Sequence, residues 1–212
     1  MTNAELDARI LRLDAAKHGL IQSSADFVAG FVPPDYLLDG IMQRRFFYSL
    51  TGRTNGGKTA IALLVAAHVG IGRPIGKCEV AQGRVLYFAG ENPDDVRMRW
   101  IAMAQNLDFD IDTIPVSFVP GTFKISQIAA RITQEVKESG DVALVVIDTS
   151  AAFFEGDDEN SNAQQGAHAR RLRSLVKLSG GPCVLALCHP VKNATPENLI
   201  PRGGGALKLM AT

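Results

Sequence analysis

The chain has 212 residues, of which 46% are apolar and 21% are charged, a balance that suits one domain with a large buried core. Its 22 basic residues equal its 22 acidic residues, so charge argues against a protein that coats nucleic acid, and any such partner requires a local basic patch. No apolar run approaches the roughly 20 residues of a membrane helix, and Cys78, Cys183 and Cys188 show neither a disulfide framework nor zinc spacing.

Residues 1–34 are predicted to form a helix and a lead-in segment ahead of the main domain, which we assign to residues 35–212. Apolar residues recur at helical spacing from Asn3 to His18. The stretch from Ser23 to Arg45 contains "PP" and "DG" breaks and predicts little regular structure. The N terminus lacks the apolar core and cleavage site of a secretory signal, so we expect a cytoplasmic protein with no membrane association.

Strands and helices then alternate along the chain. The predicted strands are "FFYSL", "RVLYFAG", the weaker "VSFV", "VALVVID" and "PCVLALCHP", and the helices between them are "KTAIALLVAAHVG", "NPDDVRMRWIAMAQNL", "SQIAARITQEVKES" and "AQQGAHARRLRSLVKL". Gly70 and Gly140 are expected to end the first and third helices, and Asn92 and Ser126 to cap the second and third. Because the strands are apolar on both faces, we predict an α/β fold whose mostly parallel central sheet has helices on both faces.

The stretch "GRTNGGKT", residues 52–59, has the full Walker A or P-loop pattern. It follows a predicted strand and opens a predicted helix, where the backbone N–H groups of a Gly-rich turn form a cradle for phosphate. We therefore predict an ATP or ADP site, in which Lys58 reaches the β and γ phosphates and Thr59 ligates Mg²⁺ through its hydroxyl. The residues predicted to bind the nucleotide are Gly52, Arg53, Thr54, Asn55, Gly56, Gly57, Lys58, Thr59 and Ala60.

Two acids and a histidine at the ends of buried strands are candidates for the metal and the chemistry. Asp148 ends "ALVVID" and is expected at the sheet rim, either as the carboxylate in the outer coordination shell of Mg²⁺ or as a cap of the turn after the strand. Thr149 follows it, so the base for hydrolysis must lie elsewhere, and Glu91 after "LYFAG" is placed either to serve as that base or to be an acid at the helix entry. His189 after "VLALC" is either a sensor of the γ phosphate or a structural histidine. The acids of "NPDD" are assigned to the first helical turn and not to chemistry.

The order "GRTNGGKT", "LYFAGE", "LVVIDT" and "LALCHPVKN", followed by "PRGGGALK", resembles RecA-like P-loop ATPases. It is most similar to AAA family ATPases of phage and plasmid type, which include hexameric plasmid replicative helicases. The resemblance covers residues 35–212 and implies that Glu91 is the catalytic glutamate. It also implies that His189 is a catalytic sensor on the strand between those that carry Lys58 and Asp148. The implied function is an ATPase for DNA replication or recombination, a helicase or motor that forms a homo-oligomeric ring such as a hexamer if the C terminus is complete.

Two departures from the family pattern bear on this role. The loops that face the ring channel and touch DNA in such proteins correspond here to residues 155–162 and 192–205. The second contains Lys192, Arg202 and three glycines, which suits a phosphate backbone, whereas the first contains "EGDDEN", which would repel one. RecA-like cores also continue past "GGALK", whereas this chain stops at Thr212, so the sequence predicts missing C-terminal strands and an unpaired sheet edge beside the P-loop strand.

Two other functions share the same P-loop. A nucleotide-gated scaffold or truncated ATPase with negligible turnover is favoured by the missing C-terminal strands, and it predicts tight ATP binding without hydrolysis. A small-molecule kinase needs an acceptor pocket and an Arg-rich lid, but "HARRLR" is the only arginine cluster and its spacing is that of a solvated helix face. The ATPase is the leading prediction.

Overall fold

The computed structural model describes residues 21–29, 31, 33–159, 161–191, 194–195 and 200–201. Its contacts divide the chain into two units, Met1–Pro34 and Asp35–Thr212. Within the first unit, helix α1 spans Ser24–Ala29 and begins after Ser23, whose hydroxyl accepts a hydrogen bond from the Asp26 N–H at 3.1 Å. The helix predicted from Asn3 to His18 lies outside the described residues.

The second unit opens with a small antiparallel hairpin. Its strands are β1 (Tyr36–Leu38) and β2 (Met42–Gln43), and the "DG" dipeptide lies in the turn between them, as hairpin turns favour. Leu37 and Met42 are buried in the core and hold the hairpin in place. The prediction of little regular structure between Ser23 and Arg45 is therefore wrong. Helix α1 lies in this stretch, and the "DG" dipeptide forms the turn of a hairpin.

The main sheet has five parallel strands in the order β3-β7-β6-β4-β5. They are β3 (Phe47–Thr51), β4 (Arg84–Ala89), β5 (Val116–Pro120), β6 (Val142–Asp148) and β7 (Cys183–Cys188). Both β6 and β7 are buried along their whole length, which explains why their sequences are apolar on both faces. Burial raises the pKa of the Cys183 and Cys188 thiols to about 12, as fits cysteines that pack as small apolar residues.

In the described part of this unit, four α-helices flank the sheet: α2 (Lys58–Ile71), α3 (Pro93–Leu107), α4 (Ile125–Ser139) and α5 (Asn162–Ser174). Short 3₁₀ turns follow β6 and α5, at Ser150–Phe153 and Leu175–Lys177. One buried cluster packs α2 and α3 against the sheet, and a second packs α4 and α5 against its other face. The predicted parallel α/β architecture is confirmed. None of the described helices combines the length and apolar character that a membrane crossing needs.

The sequence predicts the N-terminal cap of α3 correctly but not that of α4. Asn92 caps α3 as predicted, since its side chain accepts a hydrogen bond from the Asp95 N–H at 3.1 Å. The prediction that Ser126 caps α4 is wrong, because that helix begins one residue earlier, at Ile125. Ser126 instead donates its N–H and hydroxyl to the Glu155 carboxylate at 2.9 and 2.6 Å. Its hydroxyl therefore bonds to a residue distant in sequence and does not cap the helix.

The C-terminal end of α2 also differs from its prediction. The helix continues through Gly70 to Ile71 and ends at Gly72, which has a φ of 68°. A Cβ at Gly70 would come within 2.8 Å of Ile114, so this glycine allows a close approach to the sheet connection and does not end the helix. Gly140 follows the end of α4, as expected.

Candidate active site

The carboxyl ends of β3, β4, β6 and β7 meet at one edge of the sheet, where a cleft of about 370 Å³ opens. Parallel strands direct their carboxyl ends to the same edge, so residues far apart in sequence come together there. The residues lining the cleft are P-loop residues 54–60, Glu91, Asn92, Asp95, Val96, Arg99, Asp148, Thr149 and His189. Two residues of the predicted nucleotide set, Gly52 and Arg53, do not line it.

The P-loop is a tight turn between β3 and α2. The Gly56 N–H donates to the Arg53 carbonyl at 3.0 Å, and Asn55 and Gly57 have φ of 61° and 80°. A Cβ at Gly56 would come within 2.9 Å of the Arg53 oxygen, so glycine is required for this closure. The turn therefore brings backbone N–H groups to the start of α2, where they can bind an anion.

Lys58 is drawn into this loop. Its Nζ donates to the carbonyls of Gly52 at 2.9 Å and Arg53 at 3.0 Å, and only 8% of the residue is exposed. Gly52 and Arg53 thus contact Lys58 through their carbonyls, although neither lines the cleft. Phosphate oxygens can replace these two acceptors, because an ammonium binds an anionic oxygen more strongly than a neutral carbonyl.

Thr59 and Asp148 bring an alcohol and a carboxylate together at the cleft. The Thr59 hydroxyl donates to Asp148 Oδ1 at 3.2 Å, and the Tyr87 hydroxyl donates to Oδ2 at 2.7 Å. Burial raises the pKa of Asp148 above its ordinary 3.8, against the opposing hydrogen bonds from Tyr87 and Thr59. This donor set fits Mg²⁺, which prefers oxygen ligands and would favour the ionised carboxylate.

Glu91 extends from the end of β4 with about half of its side chain exposed. The Thr149 hydroxyl donates to Glu91 Oε1, and His189 Nε2 lies 3.5 Å from the same oxygen. Asn92, the next residue, provides the cap of α3, so Glu91 lies directly before the helix entry as well as beside the cleft. The three side chains form a connected polar group on the wall of the cleft.

Gly90 allows the chain after β4 to lie close to the end of β6. Its N–H donates to the Asp148 carbonyl at 2.7 Å. A Cβ at this position would lie 2.7 Å from Ala152 and 2.8 Å from Phe153, both in the 3₁₀ turn after β6. The absence of a side chain at Gly90 thus lets the ends of β4 and β6 lie side by side.

The sequence analysis gave no role to three polar residues of the cleft region: Tyr87, Thr149 and Arg99. A signal for Tyr87 was its phenol in an otherwise apolar strand, because a buried hydroxyl needs a partner. Arg99 lies four residues after Asp95 on α3, at the spacing of an ion pair, and both residues line the cleft. Asp95 belongs to the first helical turn, as predicted, but it also faces this cleft.

Of the two loops predicted to contact DNA, the structure describes most of residues 155–162 but few of residues 192–205. In loop 155–162, Glu155 is held inward by Ser126, and its carboxylate also lies 3.7 Å from Arg171. Burial acts to raise the pKa of Glu155, but the hydrogen bonds from Ser126 and the charge of Arg171 outweigh it and lower the pKa. One acid of "EGDDEN" therefore serves the fold. Most of loop 192–205, including its two cationic residues, lies outside the described residues.

A parallel five-stranded sheet with a Gly-rich turn, lysine and threonine at its carboxyl edge is the arrangement of a RecA-like P-loop domain. The family model of the AAA domain matches residues 12–195, a range that contains every site residue named above. The chain belongs to this family of AAA-type P-loop ATPases. A search of curated proteins finds no significant match.

Proposed function

We propose that the protein is a Mg²⁺-dependent ATPase that binds ATP in the cleft and hydrolyses it to ADP and phosphate. The observation that carries this proposal is the convergence of Lys58, Thr59, Asp148 and Glu91 at one edge of the sheet. A cation for the phosphates, two oxygen groups for a metal and a carboxylate for water are the parts that phosphoryl transfer to water requires.

Binding begins at the P-loop. Lys58 exchanges the carbonyls of Gly52 and Arg53 for phosphate oxygens, while the loop N–H groups bind the phosphates at the start of α2. Thr59 and Asp148 would hold the metal, and the Tyr87 hydrogen bond fixes the orientation of the Asp148 carboxylate. Mg²⁺, when bound, neutralises charge on the β and γ phosphates.

Glu91 is the proposed base. Its carboxylate accepts a proton from water as the water oxygen forms a bond to the γ phosphorus. The bond from that phosphorus to the β–γ bridging oxygen breaks, and its electron pair leaves with ADP. Thr149 and His189 both contact Oε1 and orient the carboxylate, so His189 can sense the γ phosphate through Glu91.

We further propose that ATP hydrolysis serves DNA replication or recombination, as in a helicase or motor, within a homo-oligomeric ring such as a hexamer. The order of motifs supports this, because it resembles that of hexameric plasmid replicative helicases. The loops after β6 and β7 also leave the sheet at the edge that carries the nucleotide cleft, so a DNA contact there would lie near the site of hydrolysis.

The test is steady-state ATP turnover with and without single-stranded DNA, together with the mass of the particle. We expect Mg²⁺-dependent turnover that DNA stimulates in a ring-sized particle. Slow, unstimulated turnover in a monomer would favour the nucleotide-gated scaffold instead.

Two variants test the assigned residues. Lys58→Ala should abolish nucleotide binding or hydrolysis, whereas Glu91→Gln should leave ATP bound and unhydrolysed, because the amide cannot accept the proton. Asp94→Asn is the matched control for Glu91→Gln, since Asp94 is an exposed acid three residues later, in the first turn of α3, and is not among the described residues that line the cleft. Retained turnover in Glu91→Gln would remove Glu91 from the role of base.

A further inference from the structure

The cleft contains a second permanent cation that the proposed mechanism does not use. Among the described side chains that line it, Lys58 and Arg99 are the two with a permanent positive charge. Arg99 Nε donates to the Asp95 carboxylate at 2.6 Å. Both partners remain accessible to a ligand, with 49% of the Arg99 side chain and 35% of the Asp95 side chain exposed.

The position of Arg99 on α3 places its side chain on the wall of the cleft, towards the N-terminal end of that helix. Long side chains on a helix lean towards its N terminus, and the Arg99 Nε accordingly bonds to Asp95 in the first turn of α3, so this end of α3 brings both groups to the cleft. The hydrogen bond and charge of Asp95 raise the pKa of Arg99, and the charge of Asp148 acts in the same direction. Arg99 also lines the same cleft as Asp148, the carboxylate proposed for the metal.

The partner of Arg99 is one that a phosphate can displace. Exposed pairs of this spacing on a helix are weak and are screened by solvent. A guanidinium can bind a carboxylate or a phosphate in a two-pronged geometry, but the hydrogen bond between Arg99 and Asp95 involves Nε and one carboxylate oxygen, whereas a terminal phosphate offers three oxygens and more negative charge. An incoming triphosphate thus offers Arg99 a better acceptor than the Asp95 carboxylate.

The same helix provides an internal comparison. Arg97 forms an equivalent exposed pair with Asp94, at 2.5 Å. Both residues are described, and neither is among those that line the cleft. Two pairs of the same chemistry therefore lie on one helix, and only the pair of Asp95 and Arg99 faces the nucleotide site.

We infer that Arg99 is a phosphate-binding residue that exchanges Asp95 for the terminal phosphate of a nucleoside triphosphate in the cleft. Asp95 is then the acceptor that Arg99 releases, and it competes with the phosphate for the guanidinium. Because a diphosphate lacks the terminal group, Arg99 makes the site discriminate ATP from ADP within one chain. This inference rests on the proposed function, since it requires a triphosphate in the cleft.

The experiment compares equilibrium binding of fluorescent ADP and of a fluorescent, non-hydrolysable ATP analogue, both with Mg²⁺. Arg99→Ala should weaken binding of the triphosphate analogue by about tenfold or more, the loss expected for one charged hydrogen-bonded contact, and leave ADP binding unchanged. Arg97→Ala, the matched control, should change neither affinity. Arg99→Lys keeps the charge without the two-pronged geometry and should restore part of the loss.

Asp95→Asn tests whether Arg99 acts in nucleotide binding or only in the ion pair with Asp95. It releases Arg99 while preserving shape, so the preference for the triphosphate should be kept or increased. Equal losses of affinity for both nucleotides in Arg99→Ala would overturn the inference. A selective loss of triphosphate binding in Arg97→Ala would also overturn it. If the wild type binds the triphosphate and Arg99→Ala binds it equally well, the inference alone fails. If the wild type binds neither nucleotide, it is the proposed function that fails.

Discussion

Removal of the Tyr87 hydroxyl would test how the Asp148 carboxylate is held. The hydroxyl donates to Oδ2 at 2.7 Å, in a place where Tyr87 is fully buried and Asp148 is 5% exposed. Tyr87→Phe keeps the aromatic ring, whose centroid lies 5.4 Å from that of Phe118, and removes only the donor. The substitution therefore isolates one hydrogen bond to a buried acid.

The expected loss follows from the charge of the acceptor. A hydrogen bond to a charged group contributes about 1.5–3 kcal/mol, so the free energy of unfolding should fall by about 2 kcal/mol at neutral pH. In a chain of this length that corresponds to a decrease of roughly 4–8 °C in Tm.

The loss also has a defined pH dependence. Burial already raises the pKa of Asp148 above 3.8, and the Tyr87 hydrogen bond opposes that rise, so Tyr87→Phe should raise the pKa further. The folded variant then disfavours the ionised carboxylate more than the wild type does. This difference disappears below the folded pKa of Asp148, where the carboxyl is protonated, so the destabilisation should be full at neutral pH and shrink in acid.

Urea unfolding from about pH 8 to about pH 4 measures this dependence. Tyr48→Phe is the matched control, because the Tyr48 hydroxyl accepts from the Gln43 N–H at 2.9 Å and has no acid as partner in this bond. Its loss, about 1 kcal/mol, should not vary with pH. A Tyr87→Phe loss that is equally independent of pH, or smaller than about 0.5 kcal/mol, would refute the reasoning that the hydroxyl binds a charged carboxylate.

Two further predictions concern Gly90 and His168. Gly90→Ala places a methyl group 2.7 Å from Ala152, so it should cost about 1–3 kcal/mol in unfolding free energy and reduce ATP turnover by displacing Glu91. Urea unfolding and turnover that both match the wild type would contradict this. Burial lowers the pKa of His168 from 6.5 to about 4, so the unfolded chain binds more protons between these values and stability falls by about 3 kcal/mol as the pH drops. His168→Gln should remove that loss, and an unchanged pH slope in its urea unfolding would assign it to another group.

The sheet was predictable because its signals are local. "VALVVID" and "CVLALC" are apolar on both faces, as strands covered on both sides must be, and β6 and β7 are the two strands buried along their whole length. The placement of Asp148, Glu91 and His189 at one rim also needs only the rule that parallel strands end at the same edge. Their chemical roles do not follow from that rule and remain proposals.

The polar contacts across elements were not predictable, because they depend on register and on helix rotation. Ala89 pairs with Asp148, which puts Tyr87, two residues earlier on the same face of β4, within reach of the carboxylate, and a shift of one residue would remove that contact.

The two ion pairs of α3 show that contacts of a helix with the cleft depend on its rotation, which the sequence does not give. Asp94 with Arg97 and Asp95 with Arg99 have similar spacing, so the sequence does not rank one above the other. Burial of Val96 and Trp100 in the core sets the rotation of α3, and that rotation brings only the second pair to the cleft. The comparison of Arg99→Ala with Arg97→Ala therefore tests a property of the fold, because the two substitutions remove the same chemistry from one helix and differ mainly in the direction that each side chain faces.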